Sequence, residues 1–233
     1  MRIYGKGFNF SQDGPGNRLV YHLAGCNMKC IWCSNPEGLD FSAGKDYSIE
    51  EILNECKSSR MLFFSGGGVT FTGGEATMQP DELIELLKAL KLEGINTCIE
   101  TNGTSNRLLE IAEYTDYLIM DFKHFDNKKH KEFTRVENKQ VKANFEELSK
   151  TGRQLHIRIP LINQINAEYP EKYAEYFSLH NTDNIAFEFL SYHEYGKEKW
   201  KEEYKVKNGF ITKEILKSFE DAFISKGLKL IKT

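Results

Sequence analysis

Two kinds of segment alternate in the hydrophobic pattern of the chain. Short runs of apolar, β-branched and aromatic residues have the length of buried strands. Six such runs occur, at residues 19–25, 68–74, 96–103, 117–123, 155–162 and 185–192. Segments with the apolar spacing of amphipathic helices accompany them, at residues 48–60, 81–94, 107–114, 139–152, 168–180 and 212–227. The pattern therefore predicts six strand–helix units, with the first strand beginning near residue 18.

The alternation of strands and helices predicts an α/β protein with a parallel sheet and right-handed crossovers. Two helix ends carry local signals, since Ser48 and Glu51 are spaced as a capping box and Gly94 follows the second helix. A complete eight-unit barrel needs about 250 residues. The 233 residues of this chain predict a partial (β/α)6 TIM-type barrel in a single domain, residues 1–233. An open doubly wound sheet is the alternative.

Composition narrows the class of protein. The net charge of −3 gives no global basic field of the kind that drives nucleic-acid binding. No run approaches 18 apolar residues, and residues 1–16 lack the apolar core of a signal peptide. We therefore expect a cytoplasmic protein without nucleic-acid or membrane partners. The five cysteines then favour metal binding or catalysis over a disulfide framework.

Three of these cysteines, Cys26, Cys30 and Cys33, form a C-x3-C-x2-C motif. A closed zinc site takes four ligands, so that His22 or Cys56 would have to complete it. A four-thiolate electron-transfer cluster lacks its fourth nearby cysteine. Cysteines that merely pack in the core are a further alternative. The remaining interpretation is a [4Fe-4S] cluster whose fourth iron is left for a substrate or cofactor.

Polar residues end, follow or lie within each predicted strand, and the ends of barrel strands converge on one face, where active sites lie. These residues are Cys26, Glu75, Glu100, Asp121, Arg158 and His193. The sequence therefore predicts an active site at that face.

The order of these motifs resembles the glycyl-radical-enzyme activases of the radical S-adenosylmethionine superfamily. The cysteine motif with Trp32, followed by Gly-Gly-Glu at 73–75, is similar to the superfamily as a whole. The GPG, CSNPE and GGGVT sequences resemble the activase branch. The matching segments are 14–37, 66–79, 100–103, 121–134, 158–162 and 192–196. Because only Cys56 lies between Cys33 and Gly73, the chain resembles the single-cluster type.

The resemblance implies a chemistry for the cysteine motif. Cys26, Cys30 and Cys33 would hold the cluster, and S-adenosylmethionine would chelate the open iron. Reductive cleavage would give methionine and a 5′-deoxyadenosyl radical, which takes a Cα hydrogen from a glycine of a partner glycyl radical enzyme. The resemblance also implies flavodoxin or ferredoxin as electron donor, anaerobic conditions and a monomer.

The resemblance also assigns the cofactor-binding residues. Gly73, Gly74 and Glu75 would contact the methionine amino group. Trp32 would pack against adenine or shield the cluster from water, and Asn35 would orient groups near the cluster.

Residues after the third and fourth strands are assigned in the same way. Lys123 would pair with the cofactor carboxylate or form a simple ion pair with Asp121. Glu100, Thr101 and Asp121 match the ligands of a monovalent cation, with Asn102 in the same cofactor-binding segment. The family usually has aspartate at the position of Glu100, so the glutamate is a departure in one of these three ligands.

Two possible roles stay open for each of Arg158, His193 and the charged surface segments. Arg158 would hydrogen-bond the cofactor or pair with Glu188. His193 would lie near the adenosyl group or be structural. The basic cluster Lys128, Lys129 and Lys131, with His130, and the Lys- and Glu-rich stretch 194–207 would be solvated surface or a docking face.

Departures from the family weaken any transfer of substrate identity. Ala76 replaces a proline, Asn163-Gln164 replaces a Pro-Gly turn, and Arg135 stands where glycine is common. One alternative function is a radical enzyme acting on a small molecule, similar to a deazapurine synthase. Another is a non-catalytic iron–sulfur or zinc protein, which metal content would distinguish.

Overall fold

The structure is a computed structural model that describes residues 1–231. The chain groups into two compact units. The N-terminal unit comprises Met1–Asn27, Asn35–Thr101 and Ser105–Ile119. The C-terminal unit comprises Met28–Ser34, Asn102–Thr104 and the chain from Met120 onward.

The N-terminal unit contains a mixed sheet with the strand order β3-β1-β2-β4-β5. Its strands are β1 (Arg2–Phe10), β2 (Asn17–Leu23), β3 (Lys45–Asp46), β4 (Gly68–Gly73) and β5 (Thr97–Thr101). β2, β4 and β5 are parallel, whereas β1 is antiparallel to β2 and to β3. β3 pairs with Arg2 and Ile3 alone, and farther along β1 the side chains of Phe8 and Phe10 are exposed.

Three helices accompany this sheet: α1 (Ile49–Ser58), α2 (Pro80–Leu92) and α3 (Leu108–Glu113). The predicted capping box begins α1, because Ser48 Oγ accepts from the Glu51 N–H and Glu51 accepts from the Ser48 N–H. α2 buries Leu83, Leu86 and Leu87 completely. Burying a leucine side chain contributes about 1.5–3 kcal/mol, so tertiary packing is the main stabilisation of α2.

A fully buried arginine fixes the turn that precedes β2. Arg18 Nε donates to Thr70 Oγ1 at 2.7 Å, and Nη2 donates to the Val69 carbonyl at 2.8 Å. Nη1 donates to the Pro15 carbonyl at 3.1 Å, within the GPG sequence. Burial lowers the pKa of Arg18, which nevertheless stays protonated at neutral pH. The arginine thus attaches the GPG turn to β4.

β6 (Tyr117–Asp121) begins in the N-terminal unit and ends in the C-terminal unit. The C-terminal unit continues with α4 (Asn127–Thr134), α5 (Lys139–Lys150), β7 (Leu155–Leu161), α6 (Pro170–Ser178), β8 (Ile185–Ser191), α7 (Lys213–Ser225) and β9 (Lys229–Leu230). β7, β8 and β9 are parallel neighbours.

An aromatic cluster forms much of the core of the C-terminal unit. Phe177 of α6 lies 4.8 Å from Phe122 and 4.7 Å from Phe187, measured between ring centroids. Phe223 of α7 lies 5.3 Å from Phe187. The edge-to-face and tilted arrangements are the favoured ones for aromatic pairs and add about 0.5–1.5 kcal/mol per pair beyond burial.

The predicted α/β class with mostly parallel strands is confirmed, and each of the six predicted strands and six predicted helices is present. The prediction that the first strand begins near residue 18 is wrong, because β1 starts at Arg2. Gly5 and Gly7 interrupt the apolar alternation of β1 and hide its signal. α4 was not predicted either, since it is strongly polar. The single domain stays a prediction, and residues 232–233 lie outside the described range.

Within residues 1–231, no helix combines the length and the apolar character needed to cross a membrane.

The glycines before β4 provide a test of close backbone packing in the N-terminal unit. A Cβ on Gly67 would lie 2.0 Å from the Asn17 carbonyl oxygen, so Gly67→Ala must displace backbone. We expect a loss of about 3 kcal/mol, at the upper end of typical overpacking costs. The control Gly66→Ala meets no atom within 4 Å at φ +79°, so it should lose only about 1 kcal/mol to left-handed strain. Urea unfolding compares the two, and equal losses would contradict the close approach at Gly67.

Candidate active site

The loop that carries Cys30 and Cys33 is attached to the end of α4 in the C-terminal unit. The Lys29 N–H donates to the Thr134 carbonyl at 2.9 Å, and the Ile31 N–H donates to the Phe133 carbonyl at 3.1 Å. The last carbonyl groups of a helix have no partner within the helix, so the loop satisfies them. The Cys33 N–H donates to the Cys30 carbonyl at 3.0 Å and closes a turn between the two cysteines.

A second segment, residues 194–205, also contacts this loop. The indole N–H of Trp200 donates to the Cys33 carbonyl at 3.0 Å. Gly196 lies so close that a Cβ would be 2.5 Å from Ser34 Cα. Sequence reasoning missed Trp200. The available signal was a tryptophan, one of two in the chain, within a Lys- and Glu-rich stretch.

Trp32 lies within the C-terminal unit against an apolar cluster of Ile162, Tyr192 and Val206. Trp32 is partly buried there, and its shielding of the iron–sulfur cluster stays a prediction. Cys30 itself is buried, whereas Cys33 is partly exposed.

Cys26 and the Gly-Gly-Glu sequence belong to the N-terminal unit. Gly74 and Glu75 donate from their N–H groups to the carbonyls of Leu23 and Gly25, at 2.9 and 2.8 Å. A Cβ on Gly74 would lie 2.4 Å from the Gly25 carbonyl oxygen, so only glycine permits this approach. The Gly-Gly-Glu backbone therefore lies directly beside the residue that precedes Cys26.

Asn35 lies in the N-terminal unit, just before the 3-10 turn Pro36–Leu39. Its carbonyl accepts from the Gly38 N–H at 3.0 Å, and the Gly38 carbonyl in turn accepts from the Gly25 N–H at 2.9 Å. The backbone at Asn35 thus supports the residue before Cys26.

Glu75 is a buried carboxylate whose Oε1 atom accepts three hydrogen bonds. Its donors are the Thr77 N–H at 3.0 Å, the Thr77 hydroxyl at 2.6 Å and the Thr101 hydroxyl at 2.7 Å. Glu100 accepts from the Thr72 hydroxyl at 2.9 Å. Thr101 and Glu100, predicted as cation ligands, therefore also join neighbouring strand ends of the N-terminal unit.

In the C-terminal unit, Asn102 caps a turn, because its Oδ1 accepts from the N–H and the hydroxyl of Thr104 at 3.0 and 2.6 Å. Asp121 and Lys123 form an ion pair of 2.5 Å, with side chains 33% and 11% exposed. The Lys123 carbonyl accepts from Asn166 Nδ2 at 2.8 Å. The predicted ion pair is thus present, and it fixes the ammonium group of Lys123.

Arg158 pairs with Glu188, as one of its two interpretations predicts. Arg158 Nε lies 2.8 Å from Glu188 Oε2, and His156 Nε2 lies 3.0 Å from the same oxygen. Burial opposes ionisation of Glu188, but His156 and Arg158 outweigh it and lower the pKa of the carboxyl group. Glu188 is therefore ionised and holds the guanidinium in place.

His193 is half-buried and stacks on Tyr195, with ring centroids 4.2 Å apart and planes at 22°. Burial lowers the pKa of His193, so the imidazole is neutral at neutral pH. A neutral, stacked ring is suited to contact an uncharged aromatic group.

The donor chemistry fits a thiolate cluster better than a zinc site. Cys56, which with His22 was one of the two candidates for a fourth zinc ligand, is buried with its Sγ 3.9 Å from Tyr21 Oη, and burial raises its pKa to about 12. In an iron–sulfur cluster each cysteine binds a different iron, so three spaced thiolates suffice.

Comparison with known families and relatives supports this chemistry. The model of the radical SAM superfamily matches residues 20–177. A pyruvate formate-lyase-activating enzyme of Staphylococcus epidermidis is 34% identical over 202 residues, which cover 81% of this chain and 80% of the relative. The pyruvate formate-lyase 1-activating enzyme of Escherichia coli strain K12 is 32% identical over 221 residues, covering 88% and 89%.

Solved structures agree with the predicted partial barrel. A domain of a pyruvate-formate lyase-activating enzyme from Bacteroides vulgatus superposes with a TM-score of 0.61 and 25% identity, covering 71% of this chain and 98% of that domain. SuiB of Streptococcus suis, bound to its precursor peptide SuiA, has a TM-score of 0.70 at 16% identity, covering 91% and 47%, and shows the fold alone. The chain therefore belongs to the radical SAM superfamily and, within it, to the family of pyruvate formate-lyase-activating enzymes.

Proposed function

We propose that the protein activates a glycyl radical enzyme. As a radical SAM enzyme it uses a [4Fe-4S] cluster and S-adenosylmethionine. The product radical removes a Cα hydrogen from one glycine of the partner protein. The observation that carries this proposal is the 34% identity to an activating enzyme over four fifths of both chains. That relationship favours the activase over a radical enzyme acting on a small molecule.

Cys26, Cys30 and Cys33 are the proposed cluster ligands. When bound, the cluster supplies the electron for cleavage of the cofactor. The protein's own contribution is to fix the ligands before the cluster arrives, and α4 and Trp200 do so for the loop of Cys30 and Cys33. Preorganised supporting contacts of this kind orient cluster ligands and control access of water.

The proposed cofactor-binding residues contribute polar groups of different kinds. The backbone of Gly73 and Gly74 would accept the close approach of the methionine end, and Lys123 would neutralise its carboxylate. Neutral His193 would contact the adenosyl group. Glu75 completes the predicted contact with the methionine amino group, and Trp32, Asn35, Asn102 and Arg158 are predicted to contact or orient groups around the same cofactor. A monovalent cation at Glu100, Thr101 and Asp121 is likewise a prediction.

The proposed partner is a glycyl radical enzyme, with the pyruvate formate-lyase type named by the relatives as the first to test. A flavodoxin or ferredoxin would supply the electron. We further propose that the protein works as a cytoplasmic monomer under anaerobic conditions, where its thiols stay reduced.

The function is tested directly by making a glycyl radical. We expect anaerobic protein, reconstituted with iron and sulfide, reduced and mixed with S-adenosylmethionine and a purified pyruvate formate-lyase, to produce the doublet EPR signal of a glycyl radical. One 5′-deoxyadenosine should form for each radical. Deoxyadenosine without any radical on the partner would contradict the activase and favour the small-molecule enzyme.

Substitution of one cysteine tests the ligand assignment. Cys30→Ala should abolish assembly of the [4Fe-4S] cluster. One iron is already without a protein ligand, and the substitution would leave a second iron without one. Cys56→Ala is the matched control and should keep full iron content, since Cys56 packs behind β2 against Tyr21. Iron and sulfide analysis after anaerobic reconstitution compares the two. Four irons retained in Cys30→Ala would remove Cys30 from the ligand set.

Lys123→Ala tests the cofactor site. The ammonium group is mostly buried and held by Asp121, so its loss should weaken S-adenosylmethionine binding about tenfold, as expected for a charged hydrogen bond worth about 1.5 kcal/mol. Iron content should not change. Lys213→Ala, at an exposed lysine of α7, is the control. Equilibrium binding measures both variants, and wild-type affinity in Lys123→Ala would exclude Lys123 from the site.

A further inference from the structure

Two lysine-rich segments, far apart in sequence, come together in the C-terminal unit. One is α4 with Arg135 after it, residues 127–135, and the other is residues 197–207. We call these two segments, with Lys29, the basic face. The segments contain nine lysine and arginine residues against four glutamates, whereas the whole chain has a net charge of −3. The basic residues are Lys128, Lys129, Lys131, Arg135, Lys197, Lys199, Lys201, Lys205 and Lys207.

The segments meet at a groove beside the cysteine loop. The groove is lined by Lys29, Ile31, Arg135, Trp200, Glu202, Glu203 and Lys205. Lys29 and Ile31 belong to the cysteine loop, and their N–H groups donate to the end of α4. The positive surface is therefore continuous with the loop that holds two of the proposed cluster ligands.

Some basic side chains of the basic face form ion pairs, and others do not. Lys29 pairs with Glu202 at 2.9 Å. Elsewhere on the basic face, Lys129, Lys131 and Lys197 pair with Glu132, Glu137 and Glu194 at 3.4, 3.0 and 2.9 Å. In the part of the chain that the structure describes, no carboxylate lies within ion-pair distance of Arg135 or Lys205, and both side chains are exposed. Exposed cations of this kind attract an acidic partner and orient it before contact.

Trp200 connects the groove to a proposed cluster ligand. Its ring lines the groove, and its indole N–H donates to the Cys33 carbonyl at 3.0 Å. Tyr204 packs against the ring at a centroid distance of 6.0 Å, with the planes at 64°. A partner seated in the groove would therefore touch a side chain that is hydrogen-bonded to Cys33.

We propose that the basic face is the docking surface for the electron donor, a small acidic one-electron carrier protein. The proposal rests on the proposed radical SAM function, which requires one electron for each cleavage. With a flavodoxin hydroquinone as donor, one electron leaves the flavin, which becomes the semiquinone. That electron would reduce the bound cluster from [4Fe-4S]2+ to [4Fe-4S]1+. Trp200 shortens the route by contacting both the donor and Cys33.

Charge reversal on the basic face tests the docking surface. The double variant Arg135→Glu/Lys205→Glu should bind reduced flavodoxin about tenfold more weakly at low salt, equivalent to about 1.4 kcal/mol. The difference should shrink at high salt, as it does for exposed charges. The matched control is Lys213→Glu/Lys217→Glu, which reverses two exposed lysines of α7 outside both segments. Calorimetry on the protein without its cluster measures binding independently of activity.

Reduction kinetics supply the second readout. With reconstituted protein, flavodoxin hydroquinone should reduce the Arg135→Glu/Lys205→Glu variant more slowly than wild type. Dithionite, a small molecule that needs no docking surface, should reduce both at the same rate and support the same yield of 5′-deoxyadenosine. Equal flavodoxin affinity in the variant, the control and the wild type would overturn the proposal. So would a variant that loses binding to the glycyl radical enzyme while it keeps flavodoxin affinity.

Failure of the proposed function has a different outcome. If wild-type protein reduced by dithionite forms no deoxyadenosine, the radical chemistry is wrong, while the calorimetric comparison still decides whether the face binds the carrier. Trp200→Phe keeps a ring and removes the N–H donor. It should slow reduction by flavodoxin without weakening binding, whereas Tyr204→Phe should alter neither. An unchanged rate in Trp200→Phe would overturn the assignment of Trp200 to the route.

Discussion

The hydrogen bonds between the cysteine loop and the last turn of α4 determine how the candidate site is held. A helix end leaves carbonyl groups without partners, and the N–H groups of an irregular loop also need partners. In this protein the Lys29 N–H donates to the Thr134 carbonyl and the Ile31 N–H donates to the Phe133 carbonyl, so that helix end and loop satisfy each other. The loop is thereby fixed by backbone atoms, so its side chains remain available for ligation. Arg135, in the left-handed conformation, ends the helix where the loop attaches.

In the N-terminal unit, close backbone packing at a glycine fixes the polar residues at the strand ends. Gly74 approaches the backbone of Gly25 and Gly38 more closely than any other residue allows, and Glu75 is then buried and bound by threonine hydroxyl groups. The polar strand ends are thus rigid before any cofactor binds. Preorganised polar groups need not be reordered on binding, and this lowers the cost of recognition.

Much of the fold was predictable because its elements bury one face each. The spacing of the leucines in α2 and the alternation in β7 indicate which face of each element is buried. Both elements lie where they were predicted. β1 and α4 were missed for the opposite reason. β1 contains glycines where a buried strand has apolar residues, and α4 is stabilised by its cap at Asp126 and by the loop rather than by an apolar stripe.

The candidate site was predictable wherever a motif is contiguous in sequence. The cysteines, Gly-Gly-Glu and the Asp121–Lys123 spacing are of this kind. The pairing of Arg158 with Glu188 could be listed as an alternative because adjacent parallel strands place the two residues side by side. Trp200 was missed because its partner is a backbone carbonyl 167 positions away that has no sequence signal, so the tryptophan itself was the one indication of a role.

The outer edge of β1 has a consequence for how the protein behaves in concentrated solution. Ladder pairing with β3 ends at Ile3, and farther along β1 the partly exposed rings of Phe8 and Phe10 contact Phe63 and Phe64. Unpaired edges bearing aromatic residues invite sheet-to-sheet association between molecules. Gly5 and Gly7 offer an incoming strand little to pack against, and Lys6 is held by Glu55 at 2.7 Å. Glycine in β1 thus weakens the strand and also keeps it from serving as a template for aggregation.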